Sequence, residues 1–128
     1  MPLVRIDVPE ALAAGRVRGL ADAVHQALVA TAGVPEADRF HVVARHAADG
    51  LTIDPTYLGV ERSAEAAIVT ITFRRGRTDD QKRALYRAIA DGAAERAGLR
   101  PQDVMVVVIE NGPADWSFGD GLAQYAPG

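Results

Sequence analysis

Apolar positions along this chain follow two periods, and the switches between them mark its elements. Residues Ala67 to Phe73 read A-I-V-T-I-T-F, β-branched and aromatic side chains with threonines between them, as a sheet strand requires. The run ends in Arg74-Arg75-Gly76-Arg77. Thr78 then supplies an N-cap hydroxyl, and Gln81 three residues on can return the bond in a capping box. A helix is predicted from there to about residue 97, closed by Gly98. An earlier helix is read from about Arg16 to Ala32, where Val17, Leu20, Ala21, Val24, Leu28 and Ala32 recur at helical spacing. Gly33 is its C′ residue, and Pro35 prevents continuation. Strands are predicted over 2–8, 39–45, 66–74 and 104–110. The loop 9–15 follows the first strand. The polar stretch 46–65 carries turns at Asp49-Gly50 and Asp54-Pro55 and a short strand over Leu51–Ile53. Residues 111–128 form a glycine-rich tail.

The two halves repeat. Leu3 matches Ile68, a shift of 65 positions, and the same shift pairs Val4 with Val69, Ile6 with Ile71 and Leu20 with Leu85. It also pairs Val24 with Ile89, Gly33 with Gly98, Asp38 with Asp103, Val42 with Val107 and Val43 with Val108. A constant shift implies a duplicated strand–helix–strand unit. The fold class is therefore α/β (α+β, two-layer): duplicated β-α-β units forming a four-stranded mixed sheet with both helices on one face. Each crossover makes a parallel strand pair. The expected organisation is a single domain, 1–128, with unit one at 2–45, a linker at 46–65, unit two at 66–110 and the tail. A two-layer sheet leaves its other face bare, and alternating Arg5, Asp7, Thr70 and Thr72 suit water only in part. Closed symmetric association is the usual solution.

Composition narrows the function. The net charge of −3 gives non-specific nucleic-acid binding no electrostatic support. The chain has no cysteine, which excludes disulfides, thiolate catalysis and cysteine metal sites. It has no signal-peptide pattern and no apolar run of the ~18 residues that would span a membrane. A cytoplasmic protein without a membrane partner is expected.

Candidate chemistry gathers at the strand end. Three guanidinium groups between a strand and a helix mouth suit an anion, or else form a solvated turn. Arg75 and Arg77 share a side if the chain stays extended, and Arg74 then points the other way, to the surface. Pro2 follows a methionine that is normally removed before a small residue, which would free a proline amine. Asp38 either serves this site or caps a turn, as its repeat mate Asp103 would. Trp116 and Phe118 either wall a site or seal the core or a subunit contact. His25 reads as an ordinary helix-face residue. His41 and His46 have no metal-ligand spacing, and neither a metal nor another cofactor is expected.

Four stretches carry a family resemblance: M-P-L at 1–3, G-V-P-E-A-D-R at 33–39, R-G-R-T-D-D-Q-K at 75–82 and E-N-G-P-A-D-W-S-F-G at 110–119. With the repeat, they make the chain resemble the tautomerase superfamily and, within it, the malonate semialdehyde decarboxylases. The resemblance implies a homotrimer acting through an amino-terminal proline, without a cofactor, on a small carboxylate substrate. Pro2 then matches the catalytic proline, Asp38 the active-site acid, and Arg75 and Arg77 the paired arginines. Trp116 and Phe118 match an apolar wall, which Tyr125 extends where the family often has phenylalanine. The implied reaction is decarboxylation of a small 3-oxoacid. Two rivals stand beside it: a tautomerase or hydratase/dehalogenase of 2-oxoacids or unsaturated acids, and a non-catalytic trimeric ligand-binding protein. Arg16-Val17-Arg18 and the extra Arg74 depart from the family pattern.

Overall fold

The computed structural model describes residues 1–127, so Gly128, the last residue of the tail, lies outside the described residues. The order is β1 (Leu3–Pro9), α1 (Ala14–Ala32), β2 (Phe40–His46), β3 (Ala67–Arg74), α2 (Asp79–Ala97) and β4 (Val104–Asn111). The sheet order is β2-β1-β3-β4. β1 runs parallel to β2 and β3 parallel to β4, while the two duplicated units meet antiparallel at β1 and β3. This is the four-stranded mixed sheet that the repeat predicts.

Strand alternation decides which face is covered. Val4, Ile6 and Val8 of β1 and Ala67, Val69, Ile71 and Phe73 of β3 pack with Val17, Leu20, Val24 and Leu28 of α1 and with Leu85, Ile89 and Ala93 of α2. Both helices thus cover one face. On the other, Leu3, Phe40, Val42, Met105, Val107 and Ile109 are exposed. Arg5 grips Asp7 with two bonds of 3.0 Å, and His46 Nε2 lies 2.6 Å from the same carboxylate.

The helix ends differ in how much of their geometry is written locally. Thr78 and Gln81 form the reciprocal capping box. α1 starts at Ala14 behind Ala13, which has no capping side chain, so nothing local marks that boundary. Gly19 lets the helices approach. A Cβ there would sit 2.2 Å from the Arg96 carbonyl oxygen, and backbone cannot yield as a side-chain tip can. Gly19→Ala should therefore cost ~1–3 kcal/mol despite alanine's better helix propensity. A urea midpoint that does not fall would refute this contact.

The predicted strand over Leu51–Ile53 does not form. The turns on either side do: Gly50 N–H donates to the Ala47 carbonyl at 2.8 Å, and Asp54 Oδ2 accepts from Tyr57 N–H at 2.7 Å. Between them Leu51 and Ile53 line a cavity together with Pro9, Glu10, Ala11, Ala64 and Ala66 rather than pairing along an edge.

His25 lies on the buried face of α1. Its Nε2 donates to the Glu36 carbonyl at 2.8 Å, and its ring meets His41 edge-on at 6.1 Å. Burial, then the nearby Arg39 and His25, push the His41 pKa down to about 4 from 6.5, against a smaller opposing effect of Asp22. The unfolded chain thus binds a proton that the folded one refuses, and stability should fall as pH drops from about 6.5 towards 4. His41→Gln should flatten that limb of a melting-temperature profile, and an unchanged slope would exclude His41 as its source.

Candidate active site

Strand register brings the amino terminus between an acid and the arginines. Leu3 pairs with Phe40 on one side and with Thr72 on the other. Continuing each pairing outward sets residues 1 and 2 beside Asp38 and Arg39 of the β2 approach, and beside Phe73 and Arg74 at the end of β3. Met1 and Pro2 are buried, and the Met1 ammonium lies 3.1 Å from Asp38 Oδ2.

Burial lowers the pKa of this amine below its ordinary value, Asp38 opposes that by bonding and charge, and Arg77 and Arg74 lower it further. Asp38 Oδ1 is buried without a partner. Its repeat mate is different: Asp103 is fully buried and accepts from Ser63 N–H at 2.7 Å and Ser63 Oγ–H at 2.6 Å. Asp103 is the turn-holding acid, while Asp38 faces the amino terminus.

The arginines do not sort as an extended chain would place them. Gly76 has φ 130°, a conformation glycine alone adopts without strain, and it breaks the alternation between 75 and 77. Arg77 folds back over the Phe73 ring at 4.7 Å and donates to the Arg74 and Ala32 carbonyls, each at 3.1 Å. Burial, then Arg74, lower its pKa. Arg75 is exposed, continues the β3–β4 ladder through its N–H to Asn111, and brings Nη1 close to Gly112. Arg74 is not the surface residue its strand position suggests. It is half-buried, its guanidinium lies 4.8 Å from the Tyr125 ring centre, and its Nε is buried without a partner.

The tail supplies a continuous aromatic wall. Trp116 stacks on Phe118 at 5.6 Å and 3°, and Phe118 meets Tyr125 edge-on at 5.4 Å and Phe40 at 5.7 Å. Trp116 Nε1–H donates to Asn111 Oδ1 at 2.7 Å, fixing the stack to the end of β4. Leu3, Phe40, Thr72, Asn111, Trp116 and Phe118 border a cavity of about 410 Å³. Arg74, Asn111, Thr72 and Leu3 are the residues that sequence reasoning missed here. Strand alternation puts Leu3 and Thr72 on one face, but only the register makes them neighbours. A larger cavity of about 500 Å³ lies at the far end of β1 and β2, lined mainly by small and aliphatic side chains, away from the amine. Among the described residues no three His, Cys, Asp or Glu side chains converge as a metal would need.

Chemically, the amine end offers a proton donor or acceptor, a carboxylate that favours the charged amine, guanidinium groups for an anion, and an apolar wall. Two family models, both described as tautomerase enzyme, match residues 38–119 and 2–61. The probable tautomerase YusQ of Bacillus subtilis (strain 168) is 36% identical over 97% of this chain and 98% of its own. A malonate semialdehyde decarboxylase, solved in wild-type, mutant and inactivated forms, is 33% identical with TM-score 0.90 over 96% of this chain and 95% of its own. A second, inhibited by 3-bromopropiolate, is 36% identical with TM-score 0.90 over 96% and 93%.

Proposed function

The chain belongs to the tautomerase family of enzymes, and from that membership we propose that it decarboxylates a small 3-oxoacid such as malonate semialdehyde. The observation that carries this reading is the ammonium held 3.1 Å from Asp38 beside Arg77 and Arg74. With Met1 removed, the Pro2 amine occupies this corner. Asp38 is then the charge that favours its protonated form, against burial and the two cations.

The reaction breaks the bond between the carboxylate carbon and its neighbour. The electron pair moves onto the 3-carbonyl oxygen, carbon dioxide leaves, and the enolate takes up a proton. A prolinium N–H directed at that oxygen stabilises the developing charge, or the amine condenses with the carbonyl to an iminium that accepts the pair. Arg75 and Arg77 hold the carboxylate by charge-assisted bonds and so select the bond that breaks. Trp116, Phe118 and Tyr125 present an apolar surface, which favours neutral carbon dioxide over the carboxylate.

One observation favours a second reading. Burial and the two arginines lower the pKa of the Met1 amine that stands at this corner, and a proline amine left unprotonated there would be a base suited to tautomerising a 2-oxoacid. Proton NMR with 3-oxopropanoate, a 2-oxoacid enol and a 3-haloacrylate in parallel separates the reactions. Turnover of 3-oxopropanoate to acetaldehyde supports the first reading, turnover confined to the enol supports the second, and no turnover of any of them sinks both. Mass spectrometry of the purified chain bears on all proline chemistry, because a retained Met1 leaves Pro2 in a peptide bond.

The exposed apolar face suits association of this chain in a homotrimer. Its test is sedimentation equilibrium, where a monomer at micromolar concentration would refute it.

A further inference from the structure

We propose that the cavity of about 500 Å³ at the far end of β1 and β2 is a second ligand site, one that takes a small apolar amine. It is the repeat counterpart of the cavity beside the aromatic wall. The shift of 65 carries His46, Leu51 and Ile53, which line the larger cavity, onto Asn111, Trp116 and Phe118, which line the smaller. The backbone matches as well. Pro9 pairs with His46 as Arg74 pairs with Asn111. Glu10 N–H donates to the His46 carbonyl at 2.7 Å, as Arg75 N–H donates to the Asn111 carbonyl at 2.8 Å. The next turn repeats too, with Gly50 N–H bonded to the Ala47 carbonyl and Asp115 N–H to that of Gly112. Each unit thus has a pocket at the same place, and the aromatic wall of one is an aliphatic wall in the other.

The chemistry of the two pockets is opposite. Arg74, Arg75 and Arg77 correspond to Pro9, Glu10 and Leu12, so three cations give way to one carboxylate. Pro2 corresponds to Ala67, which lies inside the chain and offers no amine. Among the described residues no lysine or arginine lines this cavity, so an acid has nothing there to hold it. The polar groups at its wall are left as acceptors. Ser63 commits its N–H and its hydroxyl to Asp103, at 2.7 and 2.6 Å. His46 Nε2 lies 2.6 Å from Asp7 Oδ1, and a carboxylate only accepts, so Nε2 carries the proton. In the neutral ring Nδ1 is then an acceptor. A ligand that donates hydrogen bonds suits both His46 and Glu10, and a positive one suits Glu10 by charge. Its hydrocarbon chain would cover Ala47, Ala48, Leu51 and Ile53.

The test follows the backbone amides of the isotope-labelled protein by NMR, titrated at neutral pH with pentylamine, pentanol and pentanoate. Pentylamine should shift amides at 46–53 and 63–66 with a Kd of about a millimolar or tighter. Pentanol, equal in size and uncharged, should bind there roughly tenfold more weakly, the scale of one charge-assisted bond. Pentanoate should leave these amides unmoved. Glu10 is exposed on a turn, so its variants should fold, and circular dichroism checks them. Glu10→Gln should bring pentylamine down to the level of pentanol and leave pentanol near wild type. Glu10→Arg, which installs the residue type of the repeat mate, should abolish amine binding. No shift at 46–53 with pentylamine overturns the proposal. So does equal binding of amine and pentanoate, or amine binding undiminished in the Glu10 variants.

Discussion

Pro2→Ala is expected to lower turnover of the decarboxylated substrate by at least ~10²-fold, the usual contribution of a positioned acid or base, with the fold retained. The fold should hold because β1 begins at Leu3 and its core residues, Val4, Ile6 and Val8, are untouched. Alanine still presents a primary amine, so some imine chemistry can persist. What it loses is the secondary amine and the ring that fixes its direction. The pH profile carries a second expectation. If the prolinium is the acid, activity falls as pH rises through its pKa. Asp38→Asn removes the influence that favours the cation, so the fall should move to lower pH. A wild-type rate in Pro2→Ala removes the proline from the mechanism, and an unmoved profile in Asp38→Asn removes the carboxylate from its control.

The two roles assigned to repeated positions show where sequence runs out. Position 38 and position 103 are the same aspartate in the repeat, yet one faces an ammonium and the other locks Ser63. Nothing local separates them. The difference comes from what each unit has next to it: an amino terminus beside β2, a returning loop beside β4. The elements whose cause is local were legible. The capping box at Thr78 and Gln81 and the C′ glycines at 33 and 98 are chemistry within a few residues, and both appear where the pattern puts them. The antiparallel meeting of β1 with β3 is not local, and it is what brings Arg74 beside the amine. The role of Gly76 was half legible. A glycine permits the turn, but whether the backbone takes φ 130° decides whether Arg75 and Arg77 point together.

The arginine substitutions should therefore be unequal. Arg77→Ala is expected to lower kcat/KM by about ten- to a hundredfold, from the loss of a charge-assisted bond worth roughly 1.5–3 kcal/mol. Arg77 also holds the Ala32 carbonyl at the end of α1, so part of its effect will be structural, and the melting temperature must be read alongside. Arg75→Ala should lower kcat/KM by less, because its side chain is exposed and bonds there are screened by water. The kinetic split assigns the role. A carboxylate loses its charge as it departs, so a guanidinium that merely holds it stabilises the ground state, and its removal should raise KM and spare kcat. A fall in kcat would instead mean that the same group stabilises the enolate. Arg77→Lys should recover only part of the loss, because an ammonium lacks the two-pronged geometry. Arg83, paired with Asp80 on the exposed flank of α2, is the control, and Arg83→Ala should leave both constants unchanged. If Arg77→Ala and Arg75→Ala behave like Arg83→Ala, the cations at the end of β3 do not bind the substrate.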